Sequence, residues 1–359
     1  MRILIVDTYY PAFLASHYEA NPGLAQGSYE EQWRSLMGRF FGTGDAYSHY
    51  LAPIGHEAHE VVANAAPLQR AWAKEHGQRM SLVDRIRHRP SASLLLAQAE
   101  WFRPDVVYVQ DMGFLRRETA VALKARSRLL VGQIASEPPD ESLLREYDLV
   151  LTSFPHFVSR FRALGLASEY FKIGFDPRVL DALGGVEPCY GAVFVGALGR
   201  LQHARGNVLL ERASELTSIE FWGYSDVPSE PPSSLVPRYH GEAWGLDMFR
   251  ILAKARIALN RHIDVAENYA NNMRLFEGTG VGALLLTDAK QNLGELFDVG
   301  REVLAYHDER ELADAVEHYL AHDDERAAIA AAGQKRTLEV HTYSVRMEEL
   351  AAILEAYLR

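Results

Sequence analysis

Thiols are almost absent from this chain: among 359 residues there is one cysteine, Cys189. A single thiol permits neither a disulfide within the chain nor a cysteine-based zinc cluster, and it suits a reducing compartment. Long apolar runs are missing as well, since none approaches the ~20 residues that a helix needs to cross a bilayer. The opening MRILIVDTYYP meets an acid after a few apolar residues and lacks the pattern of a secretory leader. A cytoplasmic protein without a transmembrane segment is therefore expected. Positive charge is in deficit: 37 Lys and Arg stand against 48 Asp and Glu, a formal net charge of −11. General attraction to nucleic acid or anionic lipid is thereby excluded, and any anionic ligand must be held by local cations. The turn after the first apolar run reads DTYYPA and carries no Gly-X-Gly-X-X-Gly, which argues against a nicotinamide oxidoreductase. Neither Asp-X-Asp nor a His/Asp cluster at metal-ligand spacing occurs.

What is present is ordinary globular material, 48% hydrophobic and 24% charged, long enough for two domains. Short apolar runs alternate with longer helical patterns, the signature of parallel sheets with crossover helices. In the first half the strands read RILIVD (2–7), HEVVANA (59–65), DVVYVQD (105–111), RLLVGQI (128–134) and DLVLTSF (148–154). Glycines, a proline and acids in DALGGVEPCYG (181–191) mark an interdomain linker. The pattern restarts with GAVFVGALG (191–199), SIEFWGY (218–224), ARIALNR (255–261), GALLLTD (282–288) and REVLAY (301–306), while 226–238 reads as an exposed loop. Two doubly wound α/β domains in series are expected, with ligands beyond the carboxyl ends of their strands.

Two segments leaving strands in the second half are chemically loaded. In FVGALGRLQHARGN (194–207) a glycine turn that includes Gly196 precedes a helix, and Arg200 and Arg205 sit five apart. A diphosphate needs close backbone approach, free N–H groups at a helix start and fixed positive charge, which this pattern offers. The same residues would also suit a tight turn with two solvated arginines. In RHIDVAENYANNMRLFEG (261–278), Asn268, Asn271, Asn272 and Arg274 could surround a phosphate at a helix start. The amides could equally be ordinary helix caps. Glu277, three residues after Arg274, could accept two hydrogen bonds from the adjacent hydroxyls of a ribose, or simply pair with Arg274 on the surface.

GAVFVGALGRLQHARGN, YHGEAWGLDMFRILAKARIALN, NNMRLFEGTGVGALLLTD and the tail from LADAVEHYLAHDDE onward occur in an order that resembles the C-terminal half of GT-B fold glycosyltransferases. The likeness is to the "glycosyl transferases group 1" type, near its spore-maturation-protein-like branch, and covers residues ~190–350. It implies a GT-B architecture: two Rossmann-like domains facing a cleft, with the last helix crossing back to the first domain. The implied boundaries are an acceptor-binding domain at 1–184, a nucleotide-sugar-binding domain at 185–340 and the returning helix at 341–359. It further implies that Arg200 and Arg205 grip the donor diphosphate, that Glu277 holds the ribose, and that no metal or cofactor is required. Many relatives that retain anomeric configuration carry another acid eight positions before that glutamate; here Tyr269 stands there, with Glu267 two residues away.

The acceptor and the chemical step would then fall to loops of the first half. Candidate bases at strand ends are Asp111, Asp7 and Glu137. Asp111 follows its strand directly, although a turn cap is the commoner use of such an aspartate. Tyr9 and Tyr10 offer rings on which a sugar could stack, and His17 lies in the neighbouring segment. His156 and His262 read as structural or polar-contact residues. The function expected is transfer of a sugar from a nucleotide-diphosphate sugar, such as a UDP-sugar, to a glycan, protein or small-molecule acceptor. A GT-B type nucleotide-sugar epimerase and a non-catalytic nucleotide-sugar-binding protein are the alternatives.

Overall fold

The computed structural model describes residues 1–79, 92–199, 204–224 and 234–359; Arg200 and most of the 226–238 loop lie outside them. The chain forms two compact units, Met1–Phe171 with Met347–Arg359, and Lys172–Arg346.

In the first unit six parallel strands run in the order β2-β1-β3-β4-β5-β6. They are β1 (Arg2–Asp7), β2 (Glu57–Val62), β3 (Val106–Val109), β4 (Leu129–Ile134), β5 (Leu149–Thr152) and β6 (Ser168–Tyr170). The unbroken apolar runs have the reason expected of them, burial on both faces: Ile3, Leu4, Ile5 and Val6 are each 1% exposed or less. Five of these strands were legible as Val/Leu/Ile runs. β6 was not, because its three residues, Ser-Glu-Tyr, form a short edge strand with no apolar signal. Among the helices, Tyr29–Met37 opens with a capping box between Ser28 and Glu31, which satisfies donors that the first turn would otherwise leave bare.

The second unit holds five parallel strands in the order β11-β10-β9-β7-β8. These are β7 (Tyr190–Val195), β8 (Ile219–Trp222), β9 (Ala255–Asn260), β10 (Leu284–Asp288) and β11 (Leu304–Tyr306). On one face Ile257, Leu259, Leu284 and Leu286 pack with Leu210, Leu312 and Val316 from the helices Ala204–Leu216 and Glu309–Ala321. Each such side chain contributes about 1.5–3 kcal/mol on burial. On the other face lies the helix Met273–Gly280. Its glycines are a packing requirement: a Cβ on Gly278 would stand 2.9 Å from Leu285 Cδ1, and one on Gly280 would stand 2.6 Å from the Phe175 ring.

Both sheets therefore have the doubly wound parallel form expected. Residues 184–189 have neither helix nor strand, and the compact units part earlier, between Phe171 and Lys172. The final helix, Tyr343–Leu358, joins the first unit through its later turns. There Arg128 Nη2 donates to Leu358 O at 2.8 Å and Tyr357 OH to Glu169 Oε1 at 3.0 Å. Among the described residues, no helix is long and apolar enough to cross a membrane.

Candidate functional site

Each sheet has one place where successive crossovers leave in opposite directions, and ligands of such folds bind there, beyond the strand ends. In the second unit this point lies between β7 and β9. Arg261, the first residue after β9, spans it. Its Nη2 donates to Ala197 O, beyond the end of β7, and to Asn207 Oδ1 at 2.5 Å, and its guanidinium lies 5.2 Å from the centre of the Phe194 ring. Gly206 makes this possible, since a Cβ there would fall 2.3 Å from Arg261 Cδ. Arg261 is 5% exposed, and burial pushes its pKa down to about 10 while nearby acids and tyrosines resist, so it remains a cation.

Around Arg261 opens a cleft of about 610 Å³. Arg205 enters from the first turn of the Ala204–Leu216 helix, His262 from the end of β9, Asp288 and Lys290 from the end of β10, and His307 from the end of β11. Arg205 is exposed and has no ion pair or hydrogen bond among the described residues. His262 Nδ1 lies 2.7 Å from Asp288 Oδ1, and Lys290 Nζ lies 3.2 Å from Asp288 Oδ2. Burial alone would raise the Asp288 pKa, but the His262 hydrogen bonds and the charges of His262 and Lys290 outweigh it and bring the group to about 2. The carboxylate is therefore ionised throughout the neutral range.

The helix Met273–Gly280 begins beside this cleft. Asn272 caps it, its Oδ1 accepting from Leu275 N at 3.3 Å, while its Nδ2 donates to Asn260 Oδ1 at 2.9 Å and Arg261 O at 3.0 Å. Asn260 Nδ2 in turn donates to Thr287 Oγ1 at 2.9 Å, and Thr287 Oγ1 to Asp288 Oδ1 at 3.3 Å. A continuous polar chain thus joins the helix cap to the carboxylate that holds His262. Glu277 is 6% exposed and pairs with Arg274 at 2.7 Å, so the two form an internal pair and not a surface one. Burial raises the Glu277 pKa and Arg274 opposes it.

Of the expected donor-site residues, Arg205 lines the cleft, whereas Arg274 and Glu277 lie along the capped helix. Asn271 is fully buried, and Asn268 is exposed with its carbonyl accepting from Gln291 N. Gly196 serves strand packing: its amide donates to Trp222 O, and a Cβ on Gly223 would stand 1.7 Å from its carbonyl oxygen. Arg200 is outside the described residues. Arg261, Asp288 and Lys290 were not singled out in the sequence, although each stands at or just past a strand end.

In the first unit the corresponding point lies between β1 and β3, and it is occupied by Asp7 and Asp111. Asp7 Oδ1 accepts from Thr8 N at 2.8 Å, and the Thr8 hydroxyl donates to Asp111 Oδ2. Burial, opposed by the Thr8 hydrogen bond and reinforced by the Asp111 charge, raises the Asp7 pKa to about 7. Asp111 also caps the short turn Met112–Phe114 through Gly113 N at 3.1 Å, the commoner role recognised for it above. Glu137 is exposed on the segment after β4. Two expectations need correction. Tyr9 is 3% exposed, packed against Phe13 and Phe41, and offers no free face for stacking. His17 is 5% exposed with Nε2 3.3 Å from Ser35 Oγ, and burial lowers its pKa; both residues belong to the core. Tyr10, 46% exposed, remains accessible.

Two parallel-sheet α/β units with this strand order define the GT-B fold of glycosyltransferases, and solved structures agree. The Anabaena protein HepE, crystallised in complex with UDP-glucose, is similar over 99% of this chain and 100% of its own, with a TM-score of 0.58 at 13% identity. Sucrose-phosphate synthase of Thermosynechococcus elongatus is similar over 99% and 98% of the two chains, with a TM-score of 0.57 at 12% identity. A glycosyltransferase of Rickettsia africae is similar over 100% and 98%, with a TM-score of 0.57 at 11% identity. More particularly, residues 202–352 match the family described as "Glycosyl transferase-like". No curated protein matches the chain in sequence.

Proposed function

We propose that this protein is a metal-independent glycosyltransferase of the spore-maturation-protein-like branch, moving a sugar from a nucleotide-diphosphate sugar to an acceptor hydroxyl. The second unit binds the donor. Arg205, with Arg200, meets the diphosphate; the capped helix carrying Asn271, Asn272 and Arg274 directs its N-terminus toward the phosphates; Glu277 takes the ribose diol. The first unit binds the acceptor near Tyr10, and Asp7 or Asp111 receives the proton of the attacking hydroxyl. The observation that carries this reading is the cationic cleft at the switch point of the second sheet, inside the segment that matches the glycosyl transferase-like family. Departure of a diphosphate needs such fixed positive charge where the negative charge develops. HepE, of the same fold, binds UDP-glucose, which makes a uridine nucleotide the first donor to test.

A second reading draws on Tyr269, which occupies the position where many retaining relatives carry an acid. It is a nucleotide-sugar-binding protein without transfer activity. One experiment separates the two. The protein is screened by thermal shift against uridine and guanosine diphosphates and their sugars, and the stabilising donor is then followed for sugar release or transfer. A ligand names the donor. Stabilisation without any release of nucleoside diphosphate, across glycan, peptide and small-molecule acceptors, would favour the binding protein. Stabilisation by none of the nucleotides would reject both.

A further inference from the structure

Among the cleft groups to which the donor reading gives no role is His262. The His262 side chain is fully enclosed, yet it lines the cleft, and its Nε2 has no hydrogen-bond partner among the described residues. Its orientation is over-determined. Asp288 can only accept, so the His262 Nδ1 carries a proton and donates it to Oδ1 at 2.7 Å. The backbone N–H of His262 reaches the same oxygen at 3.1 Å. Behind Asp288 runs the chain Thr287–Asn260–Asn272 that ends at the cap of the Met273–Gly280 helix. A ring nitrogen fixed this firmly, enclosed and unpartnered is costly unless a ligand completes it.

The surroundings choose the ligand. From the Ala204–Leu216 helix comes Arg205, exposed and without a partner among the described residues; from β9 comes Arg261, which donates to the neutral acceptors Ala197 O and Asn207 Oδ1. From β10 come Asp288 and Lys290, already paired with each other. The short turn after β9 adds Asp264 and Glu267, both exposed. β11 adds Tyr306, whose hydroxyl donates to Asn260 O, and His307, paired with Glu311 at 2.8 Å. The enclosed part of the cleft thus presents cations and hydrogen-bond donors, and its unpaired acids stay at the exposed rim. An oxyanion fits.

We propose that His262, as an imidazolium positioned by Asp288, donates Nε2–H to a phosphate oxygen of the donor's diphosphate and stabilises its departure. This rests on the donor-binding reading above. In the step, the bond between the sugar's anomeric carbon and the diphosphate oxygen breaks, and its electron pair stays on that oxygen. The acceptor oxygen bonds to the anomeric carbon and its proton passes to the base of the first unit. His262 keeps its own proton throughout and meets the arriving charge.

The test is calorimetric titration of the full chain with uridine and guanosine diphosphates, and with uridine and guanosine as phosphate-free probes. The proteins compared are wild type, His262→Gln and Asp288→Asn. Glutamine keeps a neutral N–H near the ring position and is the variant chosen to preserve the fold, checked by circular dichroism. The expected result is diphosphate affinity about tenfold to a hundredfold weaker in His262→Gln, with nucleoside affinity unchanged. Asp288→Asn, which removes the carboxylate that holds Nδ1–H, should weaken diphosphate binding as well, again with nucleoside affinity unchanged. Equal diphosphate affinity in wild type and His262→Gln would overturn the assignment of His262 while the donor site stands. Failure of the wild type to bind either diphosphate would overturn the donor reading, and this inference with it.

Discussion

Replacing Arg274 with methionine tests whether the internal pair with Glu277 holds the Met273–Gly280 helix in place. The two side chains are 14% and 8% exposed, and their charged atoms lie 2.7 Å apart. At an effective dielectric of about 20, that separation gives a gross attraction of about 6 kcal/mol, of which desolvation consumes much. Removing one partner leaves the other charge buried, which costs about 3–5 kcal/mol. For a unit of this size, about 2–4 °C of melting temperature accompanies each kcal/mol. The variant's second unit should therefore melt about 6–20 °C lower near pH 8. The loss should depend on pH. Burial already raises the Glu277 pKa and Arg274 opposes it, so the variant raises it further. A raised carboxyl pKa gives stability that is full below the unfolded value of ~4.3 and is lost as the pH rises through the folded value. Calorimetry at pH 5 and pH 8 should show the smaller deficit at pH 5. The double variant Arg274→Met with Glu277→Gln should recover most of the loss, because no buried charge is then stranded. A deficit below about 1 kcal/mol, or one equal at both pH values, would refute the reasoning.

Other outcomes follow from the same geometry. Arg205→Ala removes an exposed side chain, so melting should move by less than about 0.5 kcal/mol while uridine or guanosine diphosphate affinity falls about tenfold or more by calorimetry. Gly223→Ala places a Cβ 1.7 Å from Gly196 O at a φ of +153°, and backbone strain with overpacking should cost about 2–6 kcal/mol, read as a large drop in melting temperature. Asp7→Asn keeps the acceptor for Thr8 N and removes a carboxyl whose pKa burial raises to about 7. Wild-type stability from this group is full below ~3.9 and lost as the pH rises through about 7. The variant should therefore gain melting temperature over wild type at pH 8 and little at pH 4, while transfer activity falls.

Much of the fold was legible because its cause is local. RILIVD and GALLLTD announce strands buried on both faces, and the glycines of FEGTG announce a helix pressed against a sheet, where Gly278 meets Leu285 and Ala258. The edge strand Ser168–Tyr170 escaped because three polar residues carry no such signal. Arg205, which lines the cleft, could be picked out by residue type and its place between a strand and a helix. Tyr9 and His17 misled because an aromatic near a strand end reads the same in sequence whether its ring faces solvent or Phe41 and Ser35.

The sequence alone determined the two-sheet α/β form and the absence of a disulfide framework, since apolar periodicity and cysteine count need no partner to be read. The tertiary structure decided which charged residues meet. Arg261, His262 and Asp288 are ordinary in the linear chain. They meet because β9 lies between β7 and β10 in the sheet, which sets Arg261 and His262, just past one strand, beside Asp288, the last residue of the next. Hydrogen bonds act over about 3 Å, and strand order is a property of the whole packed unit, so no local stretch of sequence can specify that meeting.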